Sequence, residues 1–254
     1  MRLRFVSYLA PSLPPELFEA IAAHVARATG LEAEVTFETA TSGPAPGSPD
    51  PFSTGAADLG FLCAPTYRSL ASLRPAPVEL LGAAPVFADP RAGGRPVYFS
   101  EVVVPRASRA REFRDLAGRV WAYNDVCSLS GYHSMLRKVA ELCLGAAFFG
   151  ELRHVGTHLA ALEQVAAGIA DAAAVDSNVL LLALRRDRSL DGRIRVLESW
   201  GPFPVQPVVA RASLPAWLKQ RVTEALLSAG ELHAGLHGFA RVTEEDYASV
   251  DPLP

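Results

Sequence analysis

The segment Trp121-Ala-Tyr-Asn-Asp-Val-Cys-Ser-Leu-Ser-Gly-Tyr132 holds the residues best suited to chemistry. Its first part reads as a strand and its last part as the start of a helix, with Ser128 and Ser130 in the turn between. The first amides of a helix lack intrahelical partners, and the helix dipole puts positive potential at the same place. Gly131 lets a ligand approach the backbone. Two readings follow from the local pattern. Ser128 or Ser130 caps a helix, as serine commonly does, or the turn cradles a small anion without any lysine or arginine.

Other reactive residues make weaker patterns. Cys127, just before the expected helix, would need His154 or His158 as a base to act as a nucleophile; a buried inert thiol is the simpler reading. His154 and His158 have the i, i+4 spacing of metal ligands, but no H-E-x-x-H pattern surrounds them. No metal or cofactor is therefore expected. Tyr8, at the end of the first strand, is a candidate for lining a binding cleft. Nucleotide, dinucleotide and serine-hydrolase readings lack their G-x-x-x-x-G-K-[ST], G-x-G-x-x-G and G-x-S-x-G motifs.

Alternating strands and helices must position these residues. Leu3, Phe5 and Val6 predict a first strand, Leu17, Ile21 and Val25 a helix stopped by Gly30, and Leu31–Phe37 a second strand. Thr41–Gly55 is a Pro/Gly/Ser loop. Strands are expected over 57–63, 78–87 and 96–104, with a short helix over 67–73. A second α/β series then begins: a helical turn at 113–116, a strand over 119–123, a helix over 130–142 with Tyr132, Leu136, Val139 and Cys143 on one face, a helix over 158–167, a strand over 169–175, a helix capped by Ser177, and a strand over 194–197. The chain closes with a strand over 207–211, a helix begun by Ser213 and Pro215, and a capping sequence at Thr243–Asp246. This alternation predicts an α/β fold with mostly parallel sheets. Boundaries near 102–105 and 200–206 predict a discontinuous first lobe (1–102 with 206–254) and a second lobe over 103–205 that carries the serine turn.

The chain has 254 residues, half of them hydrophobic, a fifth charged, and a net charge of −3. It has no basic run, so nucleic acid is not an expected partner. Three cysteines without C-x-x-C argue against a disulfide framework or zinc site. No apolar run approaches the ~20 residues of a membrane span. Met1-Arg-Leu-Arg-Phe-Val-Ser-Tyr-Leu-Ala-Pro11 meets polar and proline residues too early for a secretory signal. Read this way, the chain is soluble, monomeric and without membrane insertion.

Several stretches together resemble the PhnD-like phosphate, phosphite and phosphonate-binding components of bacterial ABC importers. These are Asp58-Leu-Gly-Phe-Leu-Cys-Ala-Pro-Thr-Tyr67, Val97-Tyr-Phe-Ser100, Phe113–Asp125 followed by Ser128-Leu-Ser-Gly-Tyr132, Gly156-Thr-His-Leu-Ala-Ala-Leu162, and Gly168–Asp176. The resemblance covers about residues 57–215. It implies a two-lobed type 2 periplasmic-binding fold with a two-strand hinge, a small anionic ligand in the interlobe cleft, and an ABC-transporter permease as partner. By position, Ser128 and Ser130 would hold the oxyanion with the amides of Gly131 and Tyr132. His158 would donate to another oxygen, Tyr98 would close the site from the other lobe, and Asp176 would contact the ligand's far end or brace the hinge. Leu129 stands where phosphonate binders often carry a third hydroxyl. Gln206 stands where aminophosphonate binders can carry an acid. Both point away from an aminoalkylphosphonate. The resemblance places the protein in the periplasm, whereas the N-terminal reading favours a cytoplasmic sensor of the same fold. A Cys127-dependent enzyme is the third alternative.

Overall fold

A computed structural model describes residues 2–44 and 47–253. In chain order the elements are β1 (Arg2–Ser7), α1 (Pro15–Thr29), β2 (Glu32–Phe37), β3 (Leu59–Phe61), α2 (Ala64–Ser72), β4 (Val78–Leu80), β5 (Ala83–Phe87) and β6 (Val97–Pro105). They continue with β7 (Val120–Tyr123), α3 (Ser134–Glu141), β8 (Glu151–His154), α4 (His158–Ala166), β9 (Ala172–Asp176) and α5 (Ser177–Arg186). The last are α6 (Leu190–Arg193), β10 (Ile194–Pro204), β11 (Val208–Arg211), α7 (Ala216–Leu227) and β12 (Leu236–Arg241). The chain forms two compact units, residues 1–97 with 204–254, and residues 98–203.

In the first unit the sheet order is β2-β1-β3-β11-β4. β1 pairs in parallel with β2, reached through α1, and with β3, reached through the long loop after β2. β11 lies antiparallel to both its neighbours. Leu17, Ile21 and Val25 bury one face of α1, and Gly30 ends the helix in the left-handed conformation (φ 71°). One ionic cluster ties three strands together. Asp58, buried, accepts from Arg4 Nε and Nη2 at 3.0 Å and from Arg211 Nη2 at 2.9 Å. Burial pushes its carboxyl up, but the hydrogen bonds from Arg4 and Arg211 outweigh that and hold it below its ordinary value.

In the second unit the order is β10-β6-β9-β7-β8. β7 runs parallel to β8 and β9, and β6 runs antiparallel to β9. Trp121, Phe113 and Met135 form the centre of its core. Phe113 meets Trp121 edge-on at 5.8 Å, and Phe149 covers the indole at 5.0 Å. Full burial of each such side chain contributes about 1.5–3 kcal/mol. This core fixes β7, whose carboxyl end opens into the serine turn.

Several expectations need correction. Residues 78–87 form two strands in different sheets, β4 with β11 and β5 with β12, divided by Gly82 (φ 67°). The strands β8 and β12 and the helix α6 carry too few apolar residues in a clear period to be read from sequence. The face foreseen for the helix after Ser130 is half right. Tyr132 and Val139 pack on the core, but Leu136 and Cys143 are exposed and Met135 is buried in their place, because the helix starts with a wider turn that rotates its later positions. Among the described residues, no helix is long and apolar enough to cross a membrane.

Candidate functional site

In the second unit the parallel strands β7, β8 and β9 end on the same edge of the sheet, and α3, α4 and α5 start just beyond those ends. Ligands of open α/β sheets gather at such carboxyl edges. The positive ends of three helix dipoles therefore lie along that edge.

The turn after β7 is built by its own side chains. Asp125 accepts the Cys127 amide at 2.8 Å and the Asn124 side-chain amide at 2.9 Å. Ser128 Oγ accepts the Gly131 amide at 3.0 Å. The Ser128 carbonyl accepts from the amides of Tyr132 (3.2 Å) and His133 (3.0 Å). The i to i+5 bond widens the first turn, over Leu129–His133, before α3 becomes regular. The Ser130 carbonyl is held by two other hydroxyls, Ser100 Oγ at 2.8 Å and Ser134 Oγ at 2.6 Å. Gly131 is required here, since a Cβ would stand 1.9 Å from Asn124 Oδ1 and 3.1 Å from His158 Cε1.

The structure brings Ser128, Ser130, Gly131 and His158 together. Ser130 Oγ lies 3.3 Å from His158 Nε2, and both side chains are buried. Thr157 Oγ caps α4 by accepting the Ala160 amide, which sets His158 in the first turn. Burial pushes the imidazole down to about 4, against a hydrogen bond that the ring donates to the Ala174 carbonyl and that favours the charged form. At neutral pH the ring is uncharged and has one N–H.

The expected donor set changes in two respects. The amides of Gly131 and Tyr132 are engaged inside the turn, because Ser128 caps it with both its side chain and its carbonyl. The capping and cradling readings of Ser128 are compatible: Oγ accepts from Gly131 and its own O–H remains able to donate. A neutral His158 bonded to a carbonyl cannot also donate its second nitrogen to a ligand oxygen.

Asp176, rather than Ser177, caps α5, accepting the Asn178 amide at 2.7 Å. A carboxylate outcompetes a hydroxyl for an N-terminal amide. Ser177 Oγ instead accepts the Phe99 amide at 3.1 Å. Tyr98, foreseen as reaching in from the first lobe, is the first residue of the second unit, buried against Phe203 at 6.0 Å. Tyr8 belongs to the first unit. It lines a cavity of about 430 Å³ with Val6, Thr36 and Glu38, and burial raises its phenol well above the ordinary range.

Two residues escaped the sequence reading. Asn124 Oδ1 and both amide atoms of Asn178 are buried without a hydrogen-bond partner. The Asn124-Asp125 pair at a strand end was the available signal for the first. Asn178 carries no pattern of its own and shows only through its burial.

Cys127 is fully buried, and burial, with Asp125 nearby, pushes its thiol up to about 11. The reactive form is the thiolate, so burial holds this cysteine in its less nucleophilic thiol form at neutral pH. His154 packs on Tyr123 at 5.4 Å. Among the described residues, no three His, Cys, Asp or Glu side chains are grouped to hold a metal ion.

Residues 5–247 match the family described as ABC transporter, phosphonate, periplasmic substrate-binding protein. Three solved structures share the fold. A binding protein component of an ABC phosphonate transporter from Pseudomonas aeruginosa aligns with a TM-score of 0.77 at 15% identity, over 97% of this chain and 83% of that one. PhnD1 from Prochlorococcus marinus, in complex with methylphosphonate, aligns at 0.72 and 12% identity over 98% and 95%. A Xanthomonas citri protein bound to ATP aligns at 0.66 and 15% over 97% and 96%. The family is one of transporter binding proteins rather than enzymes. With its two helix-flanked sheets, this chain has the type 2 periplasmic-binding fold and belongs to the phosphonate ABC-transporter substrate-binding protein family.

Proposed function

We propose that this chain captures a small oxyanion, phosphonate-, phosphite- or phosphate-like, on the turn after β7, and passes it as a monomer to an ABC-transporter permease. The observation that carries the reading is the meeting of Ser128, Ser130 and His158 at the sheet edge where three helices begin. The hydroxyls of Ser128 and Ser130 are the side-chain donors. The Gly131 and Tyr132 amides hold the turn in shape. Asp176 fixes the start of α5. Charge-assisted hydrogen bonds contribute roughly 1.5–3 kcal/mol each. The two hydroxyls together account for about 3–6 kcal/mol of the roughly 8 that micromolar binding needs. The methylphosphonate complex of PhnD1 supports this ligand class.

Thermal unfolding against phosphate, phosphite, methylphosphonate, aminoethylphosphonate, sulfate and an alkylsulfonate tests the reading. A ligand at about a hundred times its dissociation constant stabilises by ~2.7 kcal/mol. At this size that raises Tm by several degrees, at roughly 2–4 °C per kcal/mol. The rise should disappear in Ser128→Ala/Ser130→Ala. No rise with any anion sinks the oxyanion reading. Capture between the lobes, with Tyr8 and Tyr98 contributing, is part of the same proposal. It predicts a smaller radius of gyration in the presence of the stabilising anion, and an unchanged radius removes that part.

A further inference from the structure

Of the three asparagine amide atoms buried here without a partner, two are acceptors, Asn124 Oδ1 and Asn178 Oδ1, and one is a donor, Asn178 Nδ2. Asn124 cannot turn its amide round to use its nitrogen, because Nδ2 already donates to Asp125 at 2.9 Å. Its Oδ1 is thereby presented beside Gly131, buried and without a partner. Asn178, 1% exposed in the first turn of α5, has neither amide atom satisfied, although its backbone amide is held by Asp176. Leaving a buried polar atom unpaired costs about 1–3 kcal/mol, so such atoms in a binding protein mark where a ligand supplies the missing partner. His158 adds no free acceptor: the Ala174 carbonyl takes the ring's one N–H, and Ser130 Oγ lies 3.3 Å from Nε2.

The formal charges at the site have one sign. Asp125 and Asp176 are both buried, and no lysine or arginine lies among the site residues. Titratable groups on the adjoining elements include Cys127, Tyr132, His133 and Glu101, and Glu101 accepts from Ser199 at 3.2 Å. The cations on those elements, Arg137 and Lys138 of α3, Arg153 of β8 and Arg185 and Arg186 of α5, are exposed or half-buried rather than buried with the two carboxyls. A dianion would face two carboxylates, and each further negative charge becomes more costly in a low-dielectric site.

We propose that this site admits its oxyanion in a singly protonated form, with the ligand's own O–H donating to the acceptors Asn124 Oδ1 and Asn178 Oδ1, and so discriminates against anions that carry no proton. The inference rests on the oxyanion reading and specifies its ligand. Asn178 becomes a specificity-determining residue. Methylphosphonate and methanesulfonate make the critical pair: they are close in size and shape, but only the phosphonate carries an ionisable proton near neutral pH.

The test is calorimetric titration of the unmodified protein with each compound over a pH series. Methylphosphonate should bind, with affinity falling about tenfold per pH unit once its second proton is lost. Methanesulfonate should bind about a hundredfold more weakly, because a buried acceptor that it cannot satisfy stays unpaired. Asn178→Leu should still bind methylphosphonate but narrow the gap to the sulfonate. Equal affinity for the two compounds overturns the proposal, as does tighter methylphosphonate binding at higher pH. Equal affinities that both fall with rising pH would assign the proton to His158 instead, which also overturns it. In these cases the oxyanion reading survives; binding of neither compound nor of inorganic phosphate removes both. The comparison on unmodified protein decides the matter even if Asn178→Leu fails to fold.

Discussion

Lowering the pH from 7.5 to 4 should destabilise the protein mainly through His158. In the unfolded chain an imidazole has its ordinary value near 6.5, whereas burial holds the folded one near 4. Between those values the unfolded state binds a proton that the folded state refuses, so stability is full above 6.5, declines as pH falls through the window, and levels off near 4. The gap corresponds to roughly 3 kcal/mol, or about 6–12 °C in Tm at this size. Differential scanning fluorimetry of the unmodified protein and His158→Gln, at half-unit steps, measures it. A glutamine has no proton to gain, so its curve should be nearly flat from 6.5 to 4.5. Parallel curves for the two proteins would refute the claim that the ring is buried in its neutral form. Asp58 does not confuse the result, because its depressed carboxyl acts at lower pH.

Three further outcomes follow from the geometry. Gly131→Ala puts a methyl 1.9 Å from Asn124 Oδ1, which Asp125 holds in place; it should cost about 1–3 kcal/mol in thermal melts and abolish the anion-induced rise. Asp58→Asn removes the charge and one of the two acceptor oxygens that serve Arg4 and Arg211; with both arginines partly in water, the cost in urea unfolding should be about 2 kcal/mol, shrinking as pH falls below 4. Cys127→Ala should leave the anion-induced Tm rise unchanged, since the thiol is buried and protonated; loss of the rise would reopen the case for a role of this cysteine.

The segment 121–132 was recognisable from one chain because a helix start, two serines and a glycine fall within a few residues, and their effect is local. The β-α-β opening was equally plain, since Leu17, Ile21 and Val25 repeat at helical spacing and Leu3 to Val6 precede them as a strand. The order of the strands was not. That β11 inserts between β3 and β4, and that 78–87 divides between two sheets, depends on pairings between residues far apart in sequence. Nor could sequence show that Ser128 engages the Gly131 amide, or that Asp176 takes the cap from Ser177. Those outcomes depend on which donor comes within 3 Å after packing.

By itself, then, the sequence determined most of the elements, the α/β alternation and the position of the serine turn, because periodicity, helix capping and glycine placement act over a few residues. The tertiary structure alone decided that His158 is neutral and bound to Ala174, that Asn124 and Asn178 have buried polar atoms without partners, and that the site's charges are carboxylates. Burial sets protonation and leaves acceptors unpaired, and burial is a property of the packed chain rather than of any residue in it.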